Sequence, residues 1–515
     1  MISGNCAVTG ALITDRSLRR NGATCPAADI MTATRRAVAW AAIAAMSAMG
    51  IASAAALRPP NRGSHLPAVA AFATCMVAAL LVYRGRRDLL APAPLGAVFF
   101  SAAFVGTAPV WAYVAETTQG GIVVPHPDDL PRTLLAALTG LLGFAVGARV
   151  KASAFIAPLE ATLGAPSRGR RPRPIDCAIV CAIACLASAA RLRLRMNSVG
   201  LESFQLSARY VTGIIYFGLT IAPTVACTTV LGFCIIKRAD VFSRMLCIAG
   251  VLSVCLAHAA SGWRGAAVGT VIMLAVVYWY TSALSLVRAS IYAGVGLWAA
   301  VVVTNFGHAA RTTNLQRVPE PIAESRRTAM AIRVIRMDGA GRLAKVLEHE
   351  TRQGLSLLNG AKAVSIWKQW GSSTRYADRN VWGITEAQRT STGASGPGSL
   401  YILGGLLGVT TGYILFGVVC SVFYLVVLRC PRSPAASATY AYLVTLMPGI
   451  WSECAEPFQP LKQLLVAVVV AAAVNRWFVV RGVCELGAVV PRKRAFRPSD
   501  DCCGPDCVPR RGECH

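Results

Sequence analysis

A chain of 515 residues that is 55% hydrophobic and only 15% charged, with a mean hydropathy of +0.53, lacks the balance of a soluble domain, where about a quarter of residues are charged. The formal net charge of +27 invites a nucleic-acid reading. The Lys and Arg residues, however, cluster between apolar runs without interleaved aromatics, and no nucleic-acid-binding motif is present, so no nucleic acid is expected as a partner.

Apolar runs follow one another along the chain, at approximately 37–57, 66–83, 91–114, 131–148, 175–190, 210–236, 245–260, 265–286, 289–305, 398–428, 434–451 and 461–480. A helix needs about 20 apolar residues to cross a hydrocarbon core about 30 Å thick, and these runs are too long for barrel strands. The fold class expected is all-α: a polytopic helical membrane protein of about 12 transmembrane helices, with one large external loop containing helices of its own. The organisation follows: an N-terminal extension at 1–36, a first bundle of about nine helices at 37–305, the large loop at 306–397, about three further helices at 398–480, and a basic Cys-containing tail at 481–515. The first thirty residues are polar and basic and make no convincing signal peptide; Met31 is an equally sensible start.

An even number of spans puts both termini on one side. That side carries 27 Lys and Arg, against 9 in the short loops opposite, so the positive-inside rule places both termini in the cytoplasm. The segment 306–397 then faces outward. Its 14 basic against 7 acidic residues do not contradict this, because long loops translocate largely regardless of charge. Within it, residues 320–358 have helical spacing, with Ile332, Ile335, Leu343, Val346 and Leu347 among charged neighbours. Such a segment either lies on the membrane surface or caps the helix bundle.

Acidic residues are absent from the interior of every run, with Asp176 and Glu453 only at edges, which weakens an ion-coupled transporter reading. There is no Walker loop, dinucleotide fingerprint, zincin helix or nucleophile elbow. Of the 18 cysteines, Cys177, Cys181 and Cys185 recur at helical spacing and read as one packed helix face. Cys502, Cys503, Cys507 and Cys514 match no standard zinc spacing; they are part of a disordered tail or a metal site, the tail being the favoured reading.

Candidate chemistry concentrates at the outer ends of the spans. In the external turn Ser261-Gly262-Trp263-Arg264-Gly265, Arg264 either snorkels or binds an anion in a water-filled cleft, where its planar fork matches a phosphate. The large loop opens with Asn305, His308, Arg311 and Arg317, followed by Arg326 and Arg327. His308 is either an inert surface side chain or a proton acceptor near neutral pH. The loop re-enters through Gly396-Pro397-Gly398-Ser399-Leu400-Tyr401, and Gly404, Gly408 and Gly412 then line one helix face that a neighbouring backbone can approach. Arg191, Arg193, Arg195 and Arg209 break the charge trend in an external loop and hint at a second anionic contact. His126-Pro127-Asp128-Asp129 is a solvated loop or a divalent-metal site, and Glu453 a solvated carboxylate or a base.

Ser261-Gly262-Trp263-Arg264-Gly265-Ala266-Ala267 resembles the small-Ser-Arg-Gly turn of O-antigen polymerases and related ligases. Gly398-Ser399-Leu400-Tyr401-Ile402-Leu403-Gly404-Gly405-Leu406-Leu407-Gly408-Val409 is similar to the family's re-entry helix, although Leu403, Gly404 and Gly405 stand where an Asn-Phe-Gly run is common. The topology resemblance covers most of the chain, the motif resemblance only about thirty residues. It implies a Wzy-like oligosaccharide repeat-unit polymerase in the bacterial inner membrane, a glycosyltransferase of lipopolysaccharide, capsule or exopolysaccharide biosynthesis. Its partners would be an undecaprenyl-diphosphate-linked glycan, the lipid bilayer and a chain-length regulator, with no cofactor and no metal. Arg264 and Arg311 would stabilise the diphosphate leaving group, with His308, or Glu453 after it, as base. Arg209, Arg317, Arg326, Arg327, Arg375 and Arg379, with Gly398 and Tyr401, would hold substrate. The alternatives are an O-antigen ligase, a metal-dependent glycosyltransferase using Asp128 and Asp129, and a glycan exporter or flippase.

Overall fold

The computed structural model describes residues 90–104, 129–150, 152–164, 172–196, 211–260, 264–281, 339–350, 355–358, 373–383, 394–430, 432–452 and 459–489. Regular structure among them is helical: α1 (Pro92–Phe104), α2 (Leu130–Gly147), α3 (Ser153–Leu163), α4 (Pro174–Met196), α5 (Val211–Ile236), α6 (Val241–Ala260), α7 (Arg264–Thr281), α8 (Gly339–Glu350), α9 (Ser373–Tyr376), α10 (Gly396–Arg429), α11 (Pro434–Ser452) and α12 (Gln459–Val489). Among the described residues five segments are long and apolar enough to cross a membrane: Pro174–Arg193, Gly218–Ile236, Val241–His258, Gly396–Arg429 and Gln459–Phe478. The protein is therefore a helical membrane-spanning chain. Helices also occupy the expected spans at 91–114, 131–148, 265–286 and 434–451, whereas the spans expected at 37–57, 66–83 and 289–305 lie outside the described residues.

Two expected boundaries shift. The short span at 175–190 belongs to a 23-residue helix, because α4 continues to Met196; Arg191, Arg193 and Arg195 thus stand on its last turns and not in a loop. The connection after α2 holds the helix α3, which is pinned to other elements by polar contacts. Ser433 Oγ donates to the Leu163 carbonyl at 2.5 Å, Asn475 Nδ2 donates to the Gly164 carbonyl at 3.1 Å, and Arg429 pairs with Glu160 at 3.3 Å.

The most extensive packing is between α2 and α10, which run parallel. Gly143 and Gly147 let the backbones approach: a Cβ on Gly143 would stand 2.6 Å from the Thr410 carbonyl oxygen, and one on Gly147 would meet that of Ile414. Above this seam an aromatic core forms around Trp451, which is fully buried, stacks on Tyr413 at 4.3 Å between centroids and meets the edges of Phe100 and Phe144. Tyr413 keeps its hydroxyl satisfied by donating to the Ile450 carbonyl at 2.7 Å.

The cysteine face of α4 is packed at its start and opens outward along the helix: Cys177 is buried, Cys181 half-buried and Cys185 exposed. At the α5–α6 turn Asp240 caps α6, accepting from the Ser243 hydroxyl at 2.7 Å and its N–H at 2.9 Å. Those bonds, the hydroxyl's first, hold the Asp240 carboxyl below its ordinary range. Its contribution to stability is present above the ordinary carboxylate pKa and is lost as pH falls through the depressed value.

Candidate functional site at the loop-insertion end

The large loop sends a helix into the bundle. Of the two placements open for its helical spacing, bundle cap or membrane surface, the cap is the one observed for α8: Ala340, Leu343, Val346 and Leu347 are buried, and the helix packs on α1, α2, α10 and α11. Its first residue, Gly339, sits against Ala103 and the Trp451 carbonyl, each 3.1 Å from where a Cβ would be. The rest of 320–338 lies outside the described residues. Inside this apolar setting α8 carries a cation, Arg342, only 6% exposed.

The helix that receives the loop is broken. α10 begins on Ser395, whose buried Oγ accepts from the Gly398 N–H at 3.1 Å, and Pro397 occupies a first-turn position where its missing N–H costs nothing. At Gly404 and Gly405 the dihedrals leave the helical region, and Gly405 adopts φ 64°, ψ −154°. The chain then folds back on itself. Of the three glycines expected to admit a neighbouring backbone, Gly408 does so, to the Leu400 carbonyl of the same re-entrant chain, 2.6 Å from a Cβ position, whereas Gly412 faces the Leu400 side chain and Gly404 has nothing within 4 Å. An apolar hollow of about 300 Å³ opens here, lined by Leu400, Leu403, Gly408, Leu415 and Leu461 among others.

A second piece of the loop closes the break. The N–H groups of Leu406 and Leu407, which start the new half-helix, donate to the carbonyls of Ser356 and Leu357 at 3.1 and 3.2 Å. The Ser356 N–H in turn donates to the Tyr401 hydroxyl at 2.8 Å, and Tyr401 is fully buried. The loop thus supplies the acceptors that the interrupted helix lacks. Ser395→Ala should cost about 1 kcal/mol by removing the cap of the re-entry turn, measured as a lower midpoint in thermal or denaturant unfolding of the detergent-solubilised protein.

Beyond α8, Tyr376 donates to Glu350 Oε1 at 2.6 Å. Burial, and after it the Glu350 carboxylate, pushes the Tyr376 hydroxyl pKa well above its ordinary value, so the phenol remains a donor. A π-helical turn, Ala377–Val381, follows.

Among the expected site residues, the structure brings Gly398 and Tyr401 into the re-entry hairpin, as described. Arg379 is exposed on the π turn, and Arg375 lies in α9 with its side chain outside the described set. Arg264 and Gly265 open the helix α7 and do not form a free turn, and the side chain of Arg264 is likewise not described. The level of Arg264 is fixed by its helix. Cys255 Sγ meets the Ala267 carbonyl at 3.6 Å and Gly269 faces Thr445, so the start of α7 stands level with the end of α6 and with the Ile450 end of α11. Gly339 meets Trp451 at that same end. Arg209, His308, Arg311, Arg317, Arg326, Arg327 and Glu453 lie outside the described residues, as do His126, Pro127 and Asp128; Asp129 precedes α2.

Arg191, singled out by its charge, is 2% exposed and contacts His258 across α4 and α6. A guanidinium only donates, so the imidazole is the acceptor in this contact. Arg342, Glu350, Tyr376 and His258 were not selected from sequence. For Arg342 a signal existed, a lone Arg in the small-apolar string Gly339-Ala340-Gly341-Arg342-Leu343-Ala344; for Tyr376 there was none.

No protein-family model matches the chain, and neither the curated proteins nor the solved structures include a significant match.

Proposed function

We propose that this membrane protein polymerises undecaprenyl-diphosphate-linked oligosaccharide repeat units into a surface polysaccharide, an O-antigen, capsule or exopolysaccharide, at the periplasmic face of the bacterial inner membrane, with both termini cytoplasmic. One observation carries the reading: a helix of the long loop, bearing the buried cation Arg342, is wedged among apolar helices and tied through Ser356 and Leu357 to a broken re-entry helix. That arrangement suits a substrate whose lipid lies in the bilayer and whose diphosphate and sugars lie at its edge.

The reaction is a displacement at the anomeric carbon of the growing chain. An acceptor sugar hydroxyl on the next lipid-linked repeat forms the new glycosidic bond, the bond from that carbon to the diphosphate oxygen breaks, and the hydroxyl proton passes to His308 or Glu453. Direct attack inverts the anomeric configuration. Negative charge develops on the leaving diphosphate, which calls for fixed cations where water is scarce. Arg264, Arg311 and Arg342 are assigned that work. Arg264 opens a helix, whose positive dipole end adds to its pull on an anion. The remaining loop arginines hold sugars or acidic groups so that the reacting atoms meet. The apolar hollow beside Leu400 suits part of the prenyl tail.

Arg264→Lys keeps the charge and loses the fork. Elongation by the variant should fall roughly tenfold or more at unchanged folded yield. Wild-type rates would reject the diphosphate role of Arg264.

A further inference from the structure

Away from the loop-insertion end, three helices bring together a cluster of thiols. Cys177 stands at the start of α4, Cys234 near the end of α5 and Cys247 early in α6; their Sγ atoms all lie within 4.8 Å of one another, and those of Cys177 and Cys234 are 3.5 Å apart. All three residues are buried, at most 1% exposed. A single buried Cys is ordinary apolar filler, as Cys420 is on α10. Three thiols from three separate helices turned into one space form a ligand set.

The geometry suits one small ion. With metal–sulfur bonds of about 2.3 Å, sulfurs in tetrahedral or trigonal thiolate sites stand about 3.8–4.0 Å apart. The cluster needs shifts of only about 1 Å to close. We propose that Cys177, Cys234 and Cys247 bind one thiophilic monovalent cation, of which Cu(I) is the type, in a three-sulfur site. Thiolate donors select Cu(I) by softness. Structural Zn(II) sites instead close with four ligands, and among the described residues no fourth Cys, His or carboxylate joins these three. The neighbouring acid, Asp240, is already engaged in capping α6 through Ser243.

Each thiol that ligates releases its proton to solvent as its sulfur–metal bond forms, and nothing is oxidised or reduced. The resulting negative charge meets cations on the same turn. Lys237 and Arg238 follow α5, and Arg244 stands three residues before Cys247 with a buried Nε that has no hydrogen-bond partner among the described residues. By the charge count this end of the bundle is predicted to face the cytoplasm, where thiols stay reduced. The cluster lies fourteen residues, about 21 Å of helix, from Arg191 along α4. The assignment goes beyond the polymerase reading and does not rest on it.

The test uses the full chain in detergent under anaerobic, reducing conditions, with Cu(I) alone as probe in competition with a chromophoric Cu(I) chelator. One tight equivalent is expected, and it should persist when Cys502, Cys503, Cys507 and Cys514 are all replaced by Ser. X-ray absorption on the loaded chain should show a three-sulfur shell. Cys234→Ser should weaken binding by at least the roughly 100-fold that losing a supporting partner can cost at metal sites, whereas Cys420→Ser should leave it unchanged. Absence of a tight equivalent, loss of it with the tail cysteines, a nitrogen or oxygen shell, or unchanged affinity in Cys234→Ser would overturn the proposal. The absorption measurement needs no substitution, so it decides the matter even where Cys234→Ser fails to fold.

Discussion

Gly405→Ala should destabilise the protein by about 3 kcal/mol or more and abolish chain elongation. Two effects add. The dihedrals φ 64°, ψ −154° fall in a region essentially restricted to glycine, where any side chain costs about 1–3 kcal/mol. A Cβ there would also stand 2.6 Å from the Ser356 carbonyl oxygen and 2.8 Å from that of Leu357. Backbone cannot yield as a flexible side chain does, so the 355–358 segment must move. The bonds from Leu406 and Leu407 are then lost, at about 1 kcal/mol each. Gly404→Ala is the matched control, because its φ is −149° and its Cβ position is open. Thermal unfolding of both variants in detergent should show a large drop for Gly405→Ala and little change for Gly404→Ala. Equal losses would mean that the loop does not close the break as described.

Arg342→Met should lower elongation by about 100- to 1,000-fold, the scale of removing one preorganised donor from a site of developing negative charge. Methionine approximates the length and apolar stem of arginine and removes only the charged head. Removing one member of a buried polar contact can itself cost stability, so the readout is elongation per folded molecule. The expected signature is thus a loss of elongation that remains after normalising to the folded, monodisperse protein. A purely structural Arg342 gives instead a lower unfolding temperature with full activity per folded molecule. Arg342 lies 6% exposed on α8, so its removal from the buried end is read directly in the activity of the folded protein.

Helices were legible in the sequence because apolar length alone encodes them; α5, α6 and α11 fall within a few residues of the hydropathy runs. The break in α10 was not legible. Gly404, Gly408 and Gly412 read as one helix face and Gly405 as a motif position, and only its positive φ and the 355–358 carbonyls against it mark Gly405 as the break. Hydropathy also misjudged α4, since Arg191 and Arg193 lower the window average although the helix continues through them. Charge order, in contrast, did flag Arg191, which proves buried against His258. Gly398 and Tyr401, expected from their motif to hold substrate, make structural bonds instead of showing that role: an N–H to the Ser395 cap and a hydroxyl accepting from the Ser356 N–H. Arg342 escaped because a single cation in an otherwise amphipathic loop helix resembles any solvated one. Its burial depends on the four helices around α8, contacts made across long stretches of chain.

The most direct measurement gives purified, full-length protein lipid-linked oligosaccharide repeats in detergent and separates the products by size. The polymerase reading predicts a ladder of products differing by one repeat, with release of the lipid diphosphate. Unextended repeats, under conditions in which a known polymerase makes the ladder, would contradict it.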